Sequence, residues 1–384
     1  MQPSDVQYQE EAKSLLRRAL ASGRLPHAYV FSGPPGVGKE MLANCLAQVL
    51  LCGASASTQE PPAQGLFGAP PEVETPRDEL EPCGQCVDCE LFAAGTHPDF
   101  HRVHRMLAKH HPDSNVRNRK ATVLGVDVIR EFLIKPIGVR PSRGRAKLFI
   151  VAEAERLSDE AQNAMLKTLE EPPGHSYLIL LADSADSLLA TTRSRCQPIH
   201  FGALPDEFVA AQVMSRSSIT KSEAKFLAAL SQGSLGLALR YTGMGLNERM
   251  NAIVGMVERA AVSPIAASKA MQDLAKELAA ILKKHTVDDD GDTNNARDAQ
   301  LIVCAMIATV LRDVLRVHVG ASPVSFAVDA RVRSMAAVRD SQGIRAAIKS
   351  AGRAEYHVAR NANAGLIFDE VAIQLCPRSA VGQR

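Results

Sequence analysis

The run Gly33-Pro34-Pro35-Gly36-Val37-Gly38-Lys39-Glu40 has the residue types of a phosphate cradle. Glycines let successive backbone N–H groups turn toward phosphate oxygens, a following helix N-terminus adds partial positive charge, and Lys39 is spaced to reach the outer phosphates. The last position breaks the pattern. A Ser or Thr there would ligate the Mg²⁺ that bridges two phosphates, whereas Glu40 presents a carboxylate to them. These residues predict a nucleotide-binding architecture whose hydrolytic chemistry is lost.

A second set is built from sulfur. Cys83, Cys86 and Cys89 stand in C-x-x-C-x-x-C spacing, and Cys52 ends the segment after the glycine loop. Two-residue gaps turn neighbouring thiolates onto one ion, and a fourth sulfur from a helix end closes a tetrahedral structural Zn²⁺ site. A redox C-x-x-C pair or thiols without a ligand are the other readings of the same residues. Nearby, His97, His101, His104, His110 and His111 lie among Arg102, Arg105, Lys109, Arg117, Arg119 and Lys120 at irregular spacing. They predict a solvated basic loop rather than a second metal site.

These residues need elements to hold them. The apolar run His27 to Phe31 predicts a strand before the glycine loop, and Met41 to Leu51 a helix after it. Val6 to Ser22 predicts an earlier helix and Val126 to Ile134 a later one, stopped by Pro136. Lys147 to Val151 is a buried strand leading to Ala152 and Glu153, where a working P-loop ATPase carries an Asp for Mg²⁺ and then a Glu that polarises water. Ser158 caps a helix ended by Glu170-Glu171-Pro172-Pro173, followed by strands at Tyr177 to Leu181 and Pro198 to Phe201. Strands alternating with helices up to about residue 203 predict a parallel sheet with helices on both faces and the loop at a strand's carboxyl end. Beyond Pro205 the pattern is helical throughout. Gly53 to Pro82, rich in Ala, Ser, Pro and acids, predicts a disordered insertion or mobile loop, and the acidic run Asp288 to Asp292 a solvated interhelical loop.

Composition narrows the class. The chain has 384 residues, 46% hydrophobic, and a formal net charge of +2. Any contact with nucleic acid is therefore local, and the absence of Trp disfavours single-strand recognition by stacking. Without a long apolar run or a hydrophobic leader, a soluble cytoplasmic protein with no membrane contact is expected. Eight cysteines in that compartment read as thiols or metal ligands.

Taken together, Leu25-Pro26-His27-Ala28 with the glycine loop, the four cysteines, Gly95-Thr96-His97-Pro98-Asp99, Asn163 through Pro173 and Ser194-Arg195-Cys196 resemble the bacterial DNA polymerase III clamp loader, an AAA+ family. The likeness covers roughly residues 5 to 240. Its departures are similar to those of the delta-prime type rather than of the ATPase subunits gamma and tau. Glu40 stands for the Mg²⁺-binding hydroxyl, Ala152 for the Walker B Asp, Ala182 or Asp183 for the sensor 1 Thr, and Gly236 for the sensor 2 Arg.

The resemblance implies an AAA+ module with a five-stranded parallel sheet over 1–204, carrying the zinc module 52–89. A small helical lid over 205–244 and an all-α collar for oligomerisation over 245–384 would follow. It implies a stator in a hetero-pentamer with gamma or tau ATPases and a delta subunit, acting on the sliding clamp and on primer–template DNA within the DNA polymerase holoenzyme. Arg195 would serve a neighbour's ATP site as an arginine finger, a contribution of about 10³ to 10⁵ in rate. Gly33, Gly36, Gly38 and Lys39 would remain as a loop that holds no ATP or Mg²⁺ productively, with zinc structural at Cys52, Cys83, Cys86 and Cys89. The rival readings are an active gamma- or tau-type ATPase and a zinc-dependent nucleic-acid-binding module.

Overall fold

A strand buried on both faces needs an unbroken apolar run, and Ala28–Ser32 (β1) is one, with every residue buried. The computed structural model describes residues 3–54, 80–119, 121–143, 146–285, 291–324, 329–359 and 362–376. It divides into two compact units, 1–203 and 204–384. Most of the stretch read as an insertion, 55–79, lies outside the described residues.

In the first unit β1 is joined by Phe100–Val103 (β2), Lys147–Val151 (β3), Ser176–Ala182 (β4) and Gln197–His200 (β5). All pairings are parallel, in the order β2-β3-β4-β1-β5. Strand residues alternate between two cores. Ala28, Val30, Phe149, Val151, Leu178 and Leu180 pack with Ile129, Leu133, Met165 and Leu169 of the helical segments 126–137 and 159–170. Tyr29, Phe31, Leu148, Ile150 and Ile179 are buried from the opposite face, the one approached by the helix Lys39–Leu51, whose Leu42, Ala43 and Leu46 are buried. The expected parallel sheet with helices on both faces is the observed one.

Two local expectations are corrected. The segment read as a solvated basic loop supplies β2, with His97 and His111 buried and His101 stacked on Phe149 at 4.6 Å. Burial, and secondarily neighbouring Lys147 or Arg102, pushes His101 and His104 below the ordinary histidine range, so these rings do not add to a positive surface. The second correction concerns Pro136. The helical run from Val126 continues through Pro136 to Ile137 because the turn Arg130–Ile134 is wide, with the Lys135 N–H donating to the Arg130 carbonyl five residues back. That turn absorbs the register that proline, lacking an N–H, would otherwise break.

The second unit is all helical, in the sense expected. Asp206–Arg216, Lys221–Leu230 and Leu235–Tyr241 come first, the latter two capped by the hydroxyls of Thr220 and Ser234. Met250–Ala260, Pro264–His285, Gly291–His318, Asp329–Val338, Ser341–Ala359 and Ala364–Leu375 follow. Val303, Met306, Ile307, Val310, Leu311 and Val314, buried at helical spacing, make the Gly291–His318 helix the apolar spine of this unit. Of the acidic run read as a loop, residues 286–290 lie outside the described residues, and Gly291 already opens the helix.

The turn out of β1 has no room for a side chain. Gly33 sits at φ 149°, and a Cβ there would come within 2.9 Å of Phe201 Cβ and still nearer the Phe201 carbonyl oxygen. Gly33→Ala is therefore expected to cost about 1–3 kcal/mol through overpacking against backbone, measured by chemical denaturation of the full chain.

Candidate functional site: a neutralised phosphate loop and a cysteine cluster

The glycine loop leaves the carboxyl end of β1, with Gly36 and Gly38 at φ 68° and 105°, and opens directly onto the helix Lys39–Leu51. This is the cradle backbone that the sequence led one to expect. Its charges, however, are spent within the chain. The buried Lys39 ammonium donates to the Gly33 carbonyl, to the Pro34 carbonyl at 2.9 Å and to Asp183 Oδ1 at 3.1 Å, one bond for each of its protons. Ala182 ends β4 and its carbonyl accepts from the Gly33 N–H, so of the two candidate sensor 1 residues it is Asp183 that meets Lys39.

Glu40 is paired as well. Its carboxylate lies 2.7 Å from Arg102 Nε on β2. At the end of β3, Ala152 offers no metal ligand, and Glu153, in the left-handed conformation at φ 56°, is held by Arg105 Nε at 3.1 Å and Arg156 Nε at 3.3 Å. Buried Arg105 also donates to the Ala121 carbonyl at 2.8 Å. Glu155 next to it is pushed above the ordinary carboxylate range by burial first and by Asp183 second. A triphosphate entering here would have to displace Asp183 from Lys39 and would meet the carboxylate of Glu40. Sequence reasoning placed Lys39, Glu40, Ala152 and Glu153 but missed Arg102, Arg105 and Arg156 as their partners. A lone Arg in a basic stretch carries no signal of which carboxylate it will face across a sheet.

Ser194-Arg195-Cys196 follows the short helix Ala190–Arg193. The Cys196 thiol is buried and pushed up to about 12 by desolvation, so it anchors the turn rather than reacting. Arg195 points outward, about one-third exposed, with Nε 2.7 Å from Glu170 Oε1 and Nη1 2.8 Å from the Thr191 carbonyl. Gly236 lies in the helix Leu235–Tyr241 of the second unit.

The four cysteines do come together. The Sγ atoms of Cys52, Cys83, Cys86 and Cys89 all lie within 4.8 Å of one another, with Cys52–Cys86 and Cys83–Cys89 each at 3.9 Å. Four sulfurs at about 2.3 Å from one tetrahedral Zn²⁺ would be roughly 3.8 Å apart, so the cluster fits that ion. Backbone N–H groups already aim at the sulfurs, Gly53 at Cys86 (3.3 Å) and Cys83 at Cys52 (3.4 Å). Although burial opposes it, such N–H donation holds the Cys86 thiol below its usual range. No other cluster of metal-ligating side chains occurs among the described residues. The cluster is tied to the sheet by Asp88, which pairs with Arg143 and lies 3.6 Å from His97 Nε2. Fully buried Asp99, of the Gly95-to-Asp99 motif, accepts from the Ser142 and Arg143 N–H groups at 2.7 and 2.9 Å.

Fold and site together define a P-loop α/β module with a neutralised nucleotide cradle and a four-cysteine knuckle. The family described as "DNA polymerase III, delta subunit" matches residues 8–65 and 72–205. The chain belongs to this family. It is 37% identical over 220 residues to the DNA polymerase III subunit delta' of Escherichia coli (strain K12), covering 57% of this chain and 55% of that one. The subunit delta' of Pseudomonas aeruginosa is 32% identical over 246 residues, 63% of each chain. The DNA polymerase III subunit tau of Escherichia coli is 30% identical over 248 residues, 63% of this chain and 33% of that one. The chain thus spans about 55 to 63% of the length of these delta' relatives.

The cysteine cluster carries its own test. The purified chain is expected to contain one equivalent of zinc by elemental analysis, and Cys86→Ser or a strong chelator should remove it and lower the melting temperature by several degrees. A metal-free chain with unchanged melting behaviour would mean that the thiols only pack.

Proposed function

We propose that this chain is the non-hydrolysing stator, delta-prime, of a bacterial DNA polymerase III clamp loader. The observation that carries the reading is the paired state of the cradle. Lys39, Glu40 and Glu153 are each held by a partner within the chain, while Ala152 supplies no Mg²⁺ ligand. A subunit built this way contributes to ATP hydrolysis only from outside its own site, and Arg195 is a surface guanidinium suited to that. In this reading Arg195 acts as an arginine finger on the γ-phosphate of a neighbouring gamma or tau ATPase, stabilising the charge that develops in phosphoryl transfer.

The remaining assignments follow the same reading. Residues 1–204 form the AAA+ module, 205–244 the lid and 245–384 the collar that holds the chain in a hetero-pentamer with gamma or tau and delta. The assembly loads the sliding clamp on primer–template DNA in the cytoplasm, and coupling is reciprocal, so clamp and DNA in turn tighten ATP binding next door. Cys52, Cys83, Cys86 and Cys89 would hold a structural zinc that fixes the knuckle. No helix among the described residues is long and apolar enough to cross a membrane.

The test is turnover by the chain alone and then in the assembled complex with ATPase subunits, clamp and primed DNA. No hydrolysis alone is expected, and Arg195→Ala should cut the DNA-stimulated rate by about 10³-fold or more if one neighbouring site governs turnover, with assembly intact by gel filtration. Hydrolysis by the isolated chain that vanishes with Lys39→Ala would instead establish an active gamma- or tau-type ATPase. Loss of DNA binding with Cys86→Ser in a still assembled complex would favour a zinc-dependent nucleic-acid-binding module.

A further inference from the structure

The guanidinium of Arg195 is already occupied. Nε donates to Glu170 Oε1 at 2.7 Å and Nη2 pairs with the same carboxylate. Nη1 donates to the Thr191 carbonyl at 2.8 Å and to Ser194 Oγ at 3.4 Å. Of the five N–H donors of the group, one on Nη2 is left without a partner among the described residues. An arginine held this way presents no bidentate edge to an outside anion, and its positive charge is partly offset by the Glu170 carboxylate beside it. Glu170 is the last residue of the helix Asp159–Glu170, whose Met165 and Leu169 are buried in the sheet core. Its carboxylate is therefore delivered from a rigid element, while Arg195 reaches it from the turn after Ala190–Arg193.

We infer that Glu170 is a positioning residue that holds Arg195 in a sheathed state, released only when a more highly charged phosphate in a neighbouring subunit competes for the guanidinium. The inference rests on the reading of Arg195 as a finger acting in trans. The competition is balanced by design of the contacts. A single carboxylate, about half exposed, binds the arginine weakly enough for a Mg²⁺-bound triphosphate to win at close range, and strongly enough to blunt the finger when the neighbour sits farther away. Turnover by the ring would then depend on how closely the two subunits approach, because the exchange of partners requires contact distance.

The test measures ATP turnover by the assembled complex with Glu170→Gln, Arg195→Ala and the double variant, with and without clamp and primed DNA. Glu170→Gln is expected to raise the unstimulated rate about two- to fivefold, the factor available from a partly exposed ion pair. The stimulated rate should change little, so that the stimulation ratio falls. In the Arg195→Ala background the same change should have no effect, a non-additivity that a merely structural role would not give. The unstimulated rate of the unaltered complex should also rise with salt more than that of Glu170→Gln. Glu170→Asp, one methylene shorter, gives the same readout should the Gln variant assemble poorly. If Arg195→Ala lowers turnover but Glu170→Gln and Glu170→Asp leave the unstimulated rate unchanged or reduce it, the sheath is wrong and the finger stands. If Arg195→Ala changes nothing, the finger itself is wrong.

Discussion

β1 is hydrogen-bonded to β4 on one side and β5 on the other, and that two-sided pairing is the constraint on which the first unit depends. Ser32 is level with both Ala182 and His200, so the chain leaves the sheet at the same height as its two neighbours. Three consequences meet at that edge. The glycine loop must turn beside the Phe201 backbone, Asp183 emerges from β4 next to Lys39, and the Lys39–Leu51 helix begins within reach of β2. The cradle is thus a product of sheet topology, present whether or not a nucleotide uses it.

Electrostatics explains how such a cradle holds together with its charged groups facing one another. An ammonium or guanidinium taken out of water without a partner costs several kcal/mol, whereas a paired one comes near to breaking even. Lys39 and Arg105, both buried, could not be left with empty acceptor positions, and Asp183 and Glu153 fill them. Glu40 is more exposed, yet it too is matched, by Arg102. Asp183, Glu40 and Glu153 are in this sense a compensated set: each of these carboxylates is paired with a cation of the same chain.

The cysteine knuckle is anchored by a separate network. Asp88, on the helix Val87–Ala93, reaches Arg143 and His97, while Asp99 fixes the backbone of the segment that precedes β3. The motif Gly95 to Asp99 therefore joins the sulfur cluster to the sheet edge, with His97 accepting from the Asp99 N–H at 3.1 Å. Four sulfurs within 4.8 Å of one another, met by the backbone N–H groups of Gly53, Cys83 and Cys86, are preorganised for an ion.

The parallel sheet, the loop-to-helix turn and the convergence of Cys83, Cys86 and Cys89 were legible in the sequence because each depends on local spacing. A continuous apolar run reads as a buried strand, glycines at fixed offsets read as a turn, and C-x-x-C-x-x-C reads as converging thiolates. β2 was not legible, since Phe100-His101-Arg102-Val103 looks polar until His101 is seen stacked on Phe149 and Arg102 is seen bonded to Glu40. Nor was the continuation of the helix through Pro136, which depends on one wide turn before it. Above all, the sequence determined which charged groups stand at the site, and only the tertiary structure decided that they cancel. Lys39–Asp183, Glu40–Arg102 and Arg195–Glu170 join residues separated by 25 to 144 positions. An ion pair forms through contact distance in space, which sheet order and helix packing set and which no spacing along the chain encodes.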